Sequence, residues 1–184
     1  MIRCVALLAF AVVGIASPAM AQAPTVVIVV RHAEKAATPG DDPPLTEAGL
    51  ARARALAASV ADANVQAVIT TQLRRTRDTA RPAADARGVA LETVPVGGVP
   101  VAEHAKAVAA AVRRHAGQTV LVVGHSNTVA RIIEELGGPS LPDLCDSQYS
   151  TLFLLVLDGP SARLVTSEYG APSPPVRTGC PTMR

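Results

Sequence analysis

Two apolar runs of strand length organise the chain. Thr25-Val26-Val27-Ile28-Val29-Val30 ends in Arg31-His32-Ala33-Glu34-Lys35, and Thr119-Val120-Leu121-Val122-Val123 ends in Gly124-His125-Ser126-Asn127-Thr128. Runs that stay apolar without alternation belong to strands buried on both faces, the setting of a mostly parallel sheet under helices. Each run delivers a histidine at a strand's C-terminal end. In open α/β sheets that edge is where loops and helix N-termini bind ligands, so the two histidines are expected to face one another across one pocket.

The rest of the pattern alternates between helix and strand. Thr38 to Pro44 is rich in Pro, Gly and Asp and reads as a loop, after which Thr46 caps a helix carrying Ala48, Leu50, Ala51, Ala55, Leu56 and Ala58. A strand over 65–70, a helix over 73–87 and a short strand over 89–93 follow. The turn-rich Pro95 to Pro100 leads to a helix over 102–116, the strand over 119–124, and a helix over 127–136 stopped by Gly137-Gly138-Pro139. Two last strands, 151–158 and 162–169, meet at Gly159-Pro160 and predict an edge hairpin. The expected fold is α/β, a three-layer sandwich with a mostly parallel central sheet and helices on both faces. The tail from Ala171 to Arg184 holds four prolines and reads as irregular.

The first 21 residues are set apart from this pattern. Arg3, the apolar stretch from Val5 to Ile15 and Ala19-Met20-Ala21 read as a cleaved secretory signal, too short in its apolar part to span a membrane. The expected division is a signal at 1–21 and one domain at 22–184, periplasmic or secreted, without a stable membrane anchor. Losing Arg3 lowers the net charge from +2 to +1, which argues against a general nucleic-acid binder. Aromatic residues make up only 2% of the chain and Trp is absent, so the core must be Val, Leu, Ile and Ala. Cys145 and Cys180 are the cysteines that survive processing, and an oxidising compartment predicts a disulfide between them. Neither sits in a metal-binding spacing, and no metal or cofactor is expected.

A third segment makes the chemistry specific. Thr70-Thr71-Gln72-Leu73-Arg74-Arg75-Thr76-Arg77-Asp78-Thr79-Ala80 lies between the two histidine segments, at a strand end entering a helix. Together the three resemble the histidine phosphatase superfamily, the phosphoglycerate mutase-like fold, over nearly the whole stretch from Val26 to about Tyr169. The resemblance implies a phosphomonoester hydrolase acting through a phosphohistidine, with a small phosphorylated substrate as its partner. A neutral imidazole protonated on Nδ1 presents a free Nε2 lone pair, which makes His32 the expected nucleophile. Arg31 and Arg75 supply the fixed positive charge that a dianionic phosphate requires. Arg75 is chosen over Arg74 and Arg77 because it matches the arginine of the family's Ser-x-Leu-x-Arg-Ala pattern, with Thr71 and Thr76 at the serine and alanine positions. His125 resembles the second histidine that contacts the phosphate.

The leaving alkoxide needs a proton, and in many relatives a glutamate after the third strand gives it. Glu103 is the nearest candidate here, with Glu92 behind it, though neither carries the surrounding family motif. Glu34 is a further carboxylate close to the nucleophile, with Lys35 or Arg52 as its alternative partner. Ala33 in place of a glycine, Thr38 in place of an asparagine and the lack of room for a cap insertion weigh against a mutase. Two rivals accompany the leading reading: a compact phosphohistidine protein phosphatase, and a noncatalytic anion-binding module of the same fold.

Overall fold

The computed structural model of the chain describes residues 23–159 and 161–175. The expected signal at 1–21 lies outside them. Their elements are β1 (Thr25–Arg31), α1 (Glu47–Ser59), β2 (Val65–Thr70), α2 (Arg74–Arg87), β3 (Leu91–Thr93), α3 (Val101–Arg113), β4 (Thr119–Gly124), α4 (Val129–Glu135), β5 (Thr151–Asp158) and β6 (Ser161–Glu168), with a 3-10 turn at Ala61–Ala63. The six strands form one sheet in the order β3-β2-β4-β1-β5-β6. The first four run parallel, and β5 and β6 are added antiparallel as the expected edge hairpin.

The apolar runs lie at the sheet's centre because both of their faces are covered. Val27, Val29, Val120 and Val122 join α3 and α4 in one core cluster, while Ile28, Val30, Leu121 and Val123 join α1 and α2 in another. Successive strand side chains point to opposite faces, so one continuous apolar run feeds both layers. Among the described residues no helix is long and apolar enough to cross a membrane.

Local chemistry fixes the element ends. The Thr46 hydroxyl accepts from the Gly49 amide at 3.0 Å and caps α1 as expected. Gly49 itself is there for close approach: a Cβ at this position would meet the Glu34 carbonyl oxygen at 2.2 Å. α4 departs from expectation, starting at Val129 rather than residue 127. Residues 125–128 form a turn instead, in which the Thr128 and Val129 amides both donate to the His125 carbonyl at 3.1 Å.

Candidate active site

The site is built by register. Arg31 pairs with Gly124 across the β1–β4 ladder, and the His32 amide continues it by donating to the Gly124 carbonyl at 2.9 Å. His32 and His125 therefore leave adjacent parallel strands side by side, with ring centroids 5.3 Å apart at 62°. β2, on the other side of β4, ends at Thr70 and adds Thr71 and the first turn of α2 to the same edge.

His32 is fully buried. Its Nδ1 lies 2.8 Å from the Ala33 carbonyl oxygen, which can only accept, so the proton resides on Nδ1. Nε2 is buried with no hydrogen-bond partner. Burial, the chief cause, and the neighbouring His125, Arg31 and Arg75 hold its pKa well below the usual imidazole value, against the pull of the Ala33 carbonyl. A buried neutral imidazole with an unengaged Nε2 lone pair is the form a nitrogen nucleophile needs.

His125 is also buried, and its Nε2 lies 3.2 Å from the Thr71 hydroxyl. Burial first, then the charges of Arg75, His104 and Arg31, push its pKa down to about 3. The Thr71 hydroxyl is in turn 2.9 Å from that of Thr76, so the two threonines tie β4's histidine to α2. Thr79, one turn further, accepts from the Ala33 amide at 2.9 Å and donates to the Arg75 carbonyl at 2.6 Å. The helix carrying Arg75 is thus locked to the residue that follows His32.

Arg31 is held by the irregular segment that leads into β5. Its Nη1 donates to the carbonyls of Cys145 at 2.8 Å and Gln148 at 3.2 Å, and its guanidinium carbon lies 4.1 Å from the centre of the Tyr149 ring. The Tyr149 ring is 6.3 Å from that of His32. Arg75 is half-buried and donates to the Asp41 carbonyl at 3.3 Å, while its Nε is buried without a partner. Arg74 is exposed, and its backbone amide meets the Asp42 carboxylate. Four of the expected residues, Arg31, His32, Arg75 and His125, therefore converge on one edge. The unpartnered His125 Nδ1 and two guanidiniums with unpartnered Nε atoms offer groups to an oxyanion beside the His32 Nε2 lone pair.

The fifth residue does not join them. Glu103 is 58% exposed on the first turn of α3, where it pairs with Lys106 at 2.9 Å. It is the solvated helix-start glutamate that the macrodipole favours. Glu92 is engaged by Arg114 and His115, and Glu34 forms a two-pronged pair with Arg52 at 2.8 to 3.0 Å. Burial works to raise the Glu34 pKa, but hydrogen bonds and the charges of Arg52 and Arg31 hold it below the usual carboxylate value. Arg52 also donates to the carbonyls of Tyr169 and Ala171, so this pair secures the start of the tail.

Tyr149, Asp146 and the carbonyl of Cys145 are parts of the site that the sequence did not reveal. They lie on an irregular segment without periodicity or motif. Cys145 is buried and disulfide-bonded, whereas its expected partner Cys180 lies outside the described residues.

The model of the histidine phosphatase superfamily (branch 1) matches residues 27–96, the stretch holding Arg31, His32 and Arg75. The family match and the likeness of fold support the histidine phosphatase superfamily for this chain. Among solved structures it is similar to the putative phosphohistidine phosphatase SixA of Agrobacterium tumefaciens, at 25% identity and a TM-score of 0.59 over 81% of this chain and 99% of that one. It is similar also to the protein histidine phosphatase SixA in complex with tungstate, at 20% identity and a TM-score of 0.63 over 78% of this chain and 96% of the other. YhfR of Bacillus stearothermophilus matches at 19% identity with a TM-score of 0.63, over 76% and 95% of the two chains. No curated protein matches in sequence.

Proposed function

We propose that this chain is a histidine phosphatase superfamily member and a metal-independent phosphatase that cleaves small phosphomonoesters through a phosphohistidine at His32. One observation carries the reading: the His32 proton is fixed on Nδ1 by the Ala33 carbonyl while Nε2, buried and unpartnered, lies beside His125. An anion-binding module would have no use for a nucleophilic nitrogen prepared in this way. In the reaction Nε2 attacks phosphorus, Arg31, Arg75 and His125 hold the equatorial oxygens, and water then releases phosphate from the histidine. Residues 1–21 support the further proposal that the protein is exported.

A second substrate reading comes from the two SixA structures, whose names point to phosphohistidine as the substrate. Phosphohistidine carries a good leaving group and needs less help from an acid. The test uses residues 22–184 with 4-nitrophenyl phosphate and with a phosphohistidine protein, both in EDTA. His32→Ala abolishes turnover, and brief reaction followed by acid-free denaturation yields an alkali-stable phosphoryl group on His32. Loss of activity on chelation, or an active His32→Ala protein, overturns the mechanism.

A further inference from the structure

The three carboxylates that the sequence offered as proton donors are all engaged elsewhere, on Lys106, on Arg114 and His115, and on Arg52. A fourth stands differently. Asp146 lines a cavity of about 200 Å³ together with Arg31, Lys35, Ala36, Ala37 and Tyr149. Its Oδ1 is 3.7 Å from Arg31 Nη2, too long for a hydrogen bond, and is buried with no hydrogen-bond partner. The side chain as a whole is 46% exposed, so the carboxyl reaches solvent while its Oδ1 is sheltered at the cavity wall.

Resting on the phosphatase reading, we propose that this cavity receives the leaving group and that Asp146 is its general acid. Arg31 and Tyr149 form the shared wall: Arg31 is a phosphate ligand of that reading, and the Tyr149 ring is 6.3 Å from that of His32. A group bound to phosphorus at His32 and extending past Arg31 enters the cavity, whose small volume and Ala36–Ala37 wall suit a short alcohol. As the lone pair of His32 Nε2 forms the N–P bond, the ester P–O bond breaks. The departing oxygen keeps the electron pair and takes the proton of the Asp146 carboxyl. In the second step water adds its oxygen to phosphorus and gives a proton to the Asp146 carboxylate, while the N–P electron pair returns to Nε2. The charged groups facing Asp146 around the cavity are Arg31 and Lys35.

The experiment compares glycerol phosphate, a poor leaving group, with 4-nitrophenyl phosphate, a good one. Asp146→Asn lowers kcat/KM on glycerol phosphate by about a hundredfold or more, the range of a lost general acid, and by only a few-fold on the nitrophenyl ester. Asp146→Glu recovers part of the loss, and Glu103→Gln leaves both substrates unchanged. Inhibition by inorganic phosphate stays within about twofold of the parent, because Arg31 keeps its hold on the Cys145 and Gln148 carbonyls. Equal losses on both substrates, or a parent protein that splits the nitrophenyl ester but not glycerol phosphate, overturn Asp146 as the acid. A parent inactive on both overturns the phosphatase reading itself, and this proposal with it.

Discussion

Arg31 and Cys145 are 114 positions apart in the chain, yet the Arg31 guanidinium donates to the Cys145 carbonyl at 2.8 Å. The cation proposed to face the phosphate is thus held by the backbone of a disulfide cysteine. The same segment is laced to the start of the tail, since the amides of Tyr149 and Ser150 donate to the Ser173 hydroxyl at 2.8 and 2.9 Å.

Opening the disulfide is therefore expected to loosen a phosphate contact as well as the fold. With Cys180 as the partner, the bridge closes a loop of about 35 residues, for which the chain-entropy estimate is roughly 4 kcal/mol of stability. Reductant and Cys180→Ser should each lower the unfolding midpoint and raise KM for 4-nitrophenyl phosphate about three- to tenfold. Intact-mass measurement of protein recovered from the exported fraction checks the pairing. Two free thiols there would rule it out, and an unchanged KM after reduction would separate the bridge from Arg31.

Arg75 and Arg74 are neighbours with opposite surroundings. Arg75 is half-buried, with a buried, unpartnered Nε and electrostatic influence on His32, His125 and Arg31, whereas Arg74 is exposed. Arg75→Ala should reduce kcat/KM by about a hundredfold or more, roughly 3 kcal/mol of transition-state stabilisation. Arg74→Ala should stay within about twofold. Steady-state kinetics on the two variants decides, and the reverse order would move the anion contact to Arg74.

The buried histidines make stability fall with acid. His125 titrates near pH 6.5 when unfolded but only at about 3 when folded, so between these values the unfolded chain binds more protons. Stability is fully present above pH 6.5 and is lost as pH drops below it, by about 2 kcal/mol from His125 alone at pH 5. His32, depressed in the same direction, adds to this loss. Urea unfolding at pH 7 and pH 5 in phosphate-free buffer measures it. His125→Gln should remove that share of the acid sensitivity, and an equally acid-sensitive variant would show that His125 is not held neutral.

The sequence by itself determined the elements and their edge. Val26 to Val30 and Val120 to Val123 are apolar without alternation, which requires cover on both faces, and each run carries its histidine to the strand end by simple continuity. Thr46 announced its helix for the same local reason: a hydroxyl placed to accept the Gly49 amide three residues on. Tertiary structure alone decided which side chains complete the site. Glu103 had the position expected of an acid, but it stays in solvent and pairs with Lys106. Asp146, Tyr149 and the Cys145 carbonyl reach Arg31 from more than a hundred residues away on an irregular segment. Hydrophobic period and capping are short-range constraints that a sequence displays, whereas a contact between two loops depends on where the whole sheet sets them down.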